Sequence, residues 1–153
     1  IAKECRLPSK MNEAFFAGLL HDIGKAFLLI AVADLKKSGR LDENVPQSFI
    51  DEVLDTLHQS LGAQLLKNWN LPEIYCAVAE HHHDESMDGQ DIILVMVSLS
   101  NKVLGKTGIG IVHTPDIDLA TSPEAITLDL SEIKVAELEL TVEDYVDFVK
   151  EIG

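Results

Sequence analysis

Ala17-Gly18-Leu19-Leu20-His21-Asp22-Ile23-Gly24-Lys25 is the stretch that decides how this chain is read. An apolar helix runs into an adjacent His and Asp, and a glycine follows closely. Working back from it, the pattern predicts a first helix over 11–22. Phe15, Phe16, Leu19 and Leu20 make its bulky apolar side. Ala14, Ala17, Gly18 and His21 recur at spacings of three and four, a small-residue stripe that ends on an imidazole. Gly24 permits a sharp break. A second helix is predicted over 25–37, closing on Lys36-Lys37-Ser38-Gly39, with basic residues and glycine where a helix C-terminus favours them.

Further out, 38–46 reads as a loop and Pro46 opens a long helix to about Asn68. Ile50, Val53, Leu54, Leu57, Leu61 and Leu65 form its apolar face. His58 lies on that face, with Gly62 one turn on leaving space beside the imidazole. Leu71-Pro72 starts a helix over 72–83 that is apolar nearly all round and runs into His81-His82-His83. A strongly apolar helix over 90–104 carries Asn101 on a core face. The glycines and proline of 105–121 predict a loop. Ser122-Pro123 and Thr141-x-x-Asp144 read as two helix starts, the second close to a capping box, and Val142, Tyr145, Val146 and Val149 line the last helix. Strand signals and internal repeats are lacking, so the fold class is all-α, one domain over 1–153.

Composition narrows the classes. With 153 residues and 46% hydrophobic content, the chain can bury one substantial core; with 5% aromatics, that core is mainly Leu, Ile, Val and Ala. The formal net charge is −14, and residues 116–153 alone carry eleven acids against two lysines. Such a surface repels phosphate backbones and anionic lipid, so nucleic-acid and membrane partners are disfavoured. Cys5 and Cys76, without CxxC spacing, point to a reducing compartment or to plain packing, and a cytoplasmic location is expected. The apolar runs near 26–33 and 92–99 fall short of a membrane span. The start lacks Met and any signal-peptide pattern, and the chain reads as a piece of a larger protein.

Polar residues on apolar faces carry the functional information. His21, Asp22, His58, one or more of His81–His83, and Asn101 come from four predicted helices, which a bundle can gather into one pocket. Imidazole and carboxylate ligands suit a divalent transition metal, Fe, Mn, Zn or Ni, able to polarise a phosphate ester, and Lys25 can hold a phosphate oxygen. The plain alternative stands beside this: each His is a hydrogen-bonded core residue, the His run an exposed helix end, and Asn101 a cap for a buried carbonyl.

The stretch from Ala17 to Lys25 resembles the HD superfamily of metal-dependent phosphohydrolases. The run His58-x-x-x-Gly62-Ala63-x-Leu65-Leu66-x-x-Trp69-x-Leu71-Pro72, followed by His82-His83, is similar to its HDOD branch, the HD-related output domains of bacterial signalling proteins. The tail around Ala136-Glu137-Leu138-x-Leu140-Thr141 is similar as well, so the likeness spans roughly 11–150. The resemblance implies an HD-like helical bundle, here without its N-terminal helices, and selects His82 and His83 over His81, which helix arithmetic alone would choose. The superfamily's catalytic members hold metal with an upstream His, the His-Asp pair and a later Asp. Here no His precedes His21, and the later Asp aligns with Asn101, a neutral and far poorer ligand. The stretch Asp84–Gly89 has no Gly-Tyr-Pro, which sets aside the HD-GYP phosphodiesterases. The resemblance therefore implies a regulatory output module, acting through signalling partners or a linked signalling domain, with homo-oligomerisation open. The alternative is a metal-dependent phosphohydrolase using His21, Asp22, His58 and His82 or His83.

Overall fold

A computed structural model describes residues 1–86, 90–109 and 113–152. Residues 87–89, Gly110 and the side chain of Val149, all named above, lie outside the described set. Among the described residues the regular structure is entirely helical: a short 3-10 turn at Pro8–Lys10, then α1 (Met11–Leu20), α2 (Ile23–Lys37), α3 (Gln47–Asn68), α4 (Glu73–His81), α5 (Ile92–Lys106), α6 (Pro123–Thr127) and α7 (Glu132–Ile152). The chain divides into two compact units, Phe15–His82 and a second formed by Ile1–Ala14 with His83–Gly153.

In Phe15–His82, α3 packs against both α2 and α4. Ile50, Leu54, His58, Gly62 and Leu66, each four residues from the next, are all buried and make one continuous ridge along α3. Ala63, Leu66, Cys76 and Ala79 form the centre of the core, with Leu20, Ile23, Leu71 and Tyr75 packed on it. Both ends of the α2–α3 connection follow from local chemistry. Gly39 takes a left-handed φ of 68° while the Arg40 amide bonds the Leu35 carbonyl, closing α2. Asn70, at φ 55°, closes α3 in the same way, the Leu71 amide reaching the Leu66 carbonyl.

Two glycine expectations change. Gly24 does not break the chain; it lies inside the first turn of α2, buried, where a Cβ would overlap the His58 carbonyl and stand 2.9 Å from the Gly62 amide. Gly62 leaves no open space beside the imidazole, because the Gly24 backbone fills it: a Cβ there would meet Gly24 N at 3.3 Å. The two glycines are the point where α2 and α3 touch backbone to backbone. The break itself falls at His21–Asp22, so α1 ends at Leu20 and not at residue 22.

The second unit is centred on α5, whose residues from Ile93 to Leu99 are all buried. Glu124 on α6 is fully buried; Ser98 Oγ donates to it at 2.8 Å and Lys102 Nζ lies 2.7 Å away. Burial alone would raise its pKa, but the bonds from Lys102 and Ser98 outweigh that and hold the carboxyl below its ordinary value. Ser122 caps α6 through its bond from the Ala125 amide, as its sequence predicts. Thr141 starts nothing. α7 begins at Glu132 and runs straight through it, the hydroxyl donating back to the Glu137 carbonyl at 2.7 Å.

The stretch Pro8–Lys37 holds a window of mean hydropathy 1.7, only 11% buried, and by length and composition is long and apolar enough to cross a membrane, contrary to the expectation above. It consists of two helices, of ten and fifteen residues, separated at His21–Asp22. Phe15, Phe16, Leu19, Phe27, Leu29 and Ile30 are all exposed along it.

Gly24→Ala is expected to cost about 3 kcal/mol or more, since the methyl meets backbone that cannot swing aside. Urea unfolding midpoints against wild type check this; an unchanged midpoint would contradict the close crossing.

Candidate metal site

Four side chains from the ends and middles of four helical segments meet in Phe15–His82. His21 and Asp22 occupy the turn between α1 and α2, His58 lies mid-ridge on α3, and His82 follows the last residue of α4. Asp22 takes the N-cap position of α2 yet its side chain caps no amide. The carboxylate turns instead into the cluster, where Lys25 Nζ donates to Oδ2 at 2.8 Å and His21 Nε2 stands 3.4 Å from the same oxygen. Its other oxygen, Oδ1, lies 3.5 Å from both His58 Nε2 and His82 Nε2.

The three rings share one orientation rule. His21 Nδ1 bonds the Gly18 carbonyl at 2.7 Å, His58 Nδ1 the Leu54 carbonyl at 2.8 Å, and His82 Nδ1 the Val78 carbonyl at 3.1 Å. A carbonyl only accepts, so each Nδ1 carries a proton and each ring turns its Nε2 into the cluster. All three Nε2 atoms lie within 3.5 Å of an Asp22 carboxylate oxygen. His58 Nε2 and His82 Nε2 face each other at 3.3 Å, and the rings of His21 and His82 meet edge to face with centroids 4.8 Å apart. His21 Nε2 and Asp22 Oδ1 are buried with no hydrogen-bond partner.

Ring nitrogens gathered around a carboxylate suit a cation. His21, Asp22 and His82 offer ligand atoms within 4.8 Å of one another, a spacing that three ligands at about 2.0–2.2 Å from one ion can meet after small adjustment. Backbone carbonyls on the far ring nitrogens are the usual means of orienting ligating histidines. The donor set of imidazole nitrogen and carboxylate oxygen fits a divalent transition metal.

The electrostatics agree. Burial pushes the His21 pKa down, against the pull of Asp22; burial also lowers that of His58, with Lys25 adding to the effect. For Asp22, burial acts upward but is outweighed by the close approach of His82 and the hydrogen bond from Lys25, and the carboxyl is held far below the usual carboxylate range.

Of the residues singled out from sequence, the structure brings together His21, Asp22, Lys25, His58 and His82. His81 is half-buried; His83 is exposed and belongs, like the half-buried Asn101 on α5, to the second unit. Sequence reasoning overlooked the carbonyls of Gly18, Leu54 and Val78. Their signal was available, since a helical His always has a carbonyl three or four residues behind it.

A family model described as HDOD domain matches residues 1–85. No curated protein and no solved structure matches. The matched segment contains the whole cluster; the likeness around Ala136–Thr141 lies beyond it.

Because His21 and His58 are lowered, the unfolded chain takes up protons first on acidification. Their contribution to stability is complete above the ordinary histidine value, near 6.5, and is lost as pH falls through the lowered values. Urea midpoints are expected to drop from pH 7.5 to 5.5, and to drop less in His58→Gln. A flat wild-type profile would contradict the assignment. The Asp22 contribution fails only in stronger acid, below about pH 4.

Proposed function

We propose, from the chain's membership of the HDOD family, that it is a regulatory output module built on an HD-type scaffold and works by binding signalling partners, without phosphohydrolase turnover. The observation that carries this reading is the apolar face of α1 and α2. Phe15 is 66% exposed, Leu19 64% and Ile30 62%, and Phe16, Phe27 and Leu29 of the same unit are exposed as well. Water-facing apolar side chains of that number on adjacent helices are characteristic of a surface that another protein surface covers. A membrane is a weaker match for the same face. The stretch would carry His21, Asp22 and Lys25 into hydrocarbon, and the −14 net charge opposes anionic lipid and nucleic acid alike. The partner is therefore a signalling protein or a linked signalling domain, in the cytoplasm.

A second reading, metal-dependent phosphohydrolase, is favoured by one observation, the two buried and unpartnered atoms His21 Nε2 and Asp22 Oδ1. A divalent metal held by His21, Asp22 and His82, with His58 adjoining, would supply Lewis acidity and an activated water. The chain's own part would be to fix the three Nε2 lone pairs through their carbonyls and to leave Lys25 for a phosphate oxygen. Against it, Lys25 already engages Asp22.

The two readings part on turnover. Protein incubated with Mn²⁺, Fe²⁺, Zn²⁺ or Ni²⁺ is expected to hydrolyse neither bis(p-nitrophenyl) phosphate nor nucleotides above background. Turnover that depends on metal and vanishes in Asp22→Asn would overturn the regulatory reading.

A further inference from the structure

Lys25 is placed to do more than hold a phosphate. It stands one turn into α2 from Asp22, its Nζ donates to Asp22 Oδ2 at 2.8 Å, and its side chain is 18% exposed. The carboxylate it engages is the same group that a metal in the cluster must have. The ammonium is the lysine cation that this carboxylate engages directly. A dication on Asp22 would sit within a few ångströms of the ammonium, in a part-buried site where water screens the repulsion poorly. Lysine can yield, because four methylene bonds let the ammonium swing outward while the stem stays packed.

We propose that Lys25 is an internal counter-cation that competes with a divalent transition metal for the Asp22 carboxylate, so that the cluster exchanges between an ammonium-held and a metal-held state. Metal affinity is then set by Lys25, although Lys25 is not a ligand. This rests on the fit of a metal to the cluster described above and not on whether anything is hydrolysed.

Calorimetric titration with Co²⁺ and Zn²⁺ tests it. Lys25→Met is expected to bind at least tenfold more tightly than wild type, Lys25→Arg to stay within about threefold of wild type, and Asp22→Asn to bind neither ion in either background. Lys25→Gln serves in place of the methionine variant if that one is misfolded. Wild-type protein supplies an independent readout: the Lys25 ammonium NMR signal should shift on saturation with Zn²⁺, and should not shift in Asp22→Asn. Equal or weaker binding by the neutral variants, equal tightening in Lys25→Arg, or no metal binding by any variant would overturn the proposal. Turnover, which bears on the regulatory reading, leaves this result unaffected.

Discussion

The carboxylate of Asp22 is the group around which Phe15–His82 is arranged. It is anionic, part-buried, and approached by one lysine and three imidazoles. Each of those contacts depends on a backbone decision made elsewhere. α1 must stop at Leu20 for His21 and Asp22 to face the same way. Gly24 and Gly62 must lack side chains for α2 to lie against α3 at the level of His58. α4 must end at His81 so that His82 folds back with its Nδ1 on the Val78 carbonyl. A buried charge is tolerated only where several partners meet it, and here the partners come from separate helical segments.

Tautomer is the less visible half of that constraint. Had the rings bonded outward through Nε2, the same residues at similar positions would present protons to one another. Instead three backbone carbonyls hold a proton on each Nδ1, and each Nε2 is turned toward the Asp22 carboxylate. This makes the site receptive to cations of either kind, an ammonium from the chain or a metal from solution.

Much of this was legible beforehand. The apolar face read from Ile50, Leu54 and Leu61 placed His58 on the buried side, although it also took in Leu57, which is 45% exposed, and the adjacency of His21 and Asp22 to Gly24 placed the pair at a helix end. What escaped was local competition. Thr141 looked like a helix start because its hydroxyl can cap forward, yet the strong helix formers before it carry α7 through, and the hydroxyl bonds backward. Gly24 looked like a hinge because glycine permits one; it was needed for close approach, which depends on a partner helix that no local pattern reveals. Lys25 looked free for phosphate, and its pairing with Asp22 was hidden because the acid leaves its capping position. Choosing among His81, His82 and His83 required family likeness, since α4 is apolar on most sides; burial of His82 within the cluster is a tertiary outcome.

Long-range ¹H–¹⁵N correlation spectra of the imidazole rings test the central claim most directly. At pH 7.5 in metal-free protein, His21, His58 and His82 are expected to show a protonated Nδ1 and an unprotonated Nε2, unlike the mixed tautomers of an exposed ring. Protonation on Nε2 in these three rings, or averaging typical of solvent-exposed histidine, would contradict a cluster of inward lone pairs around Asp22.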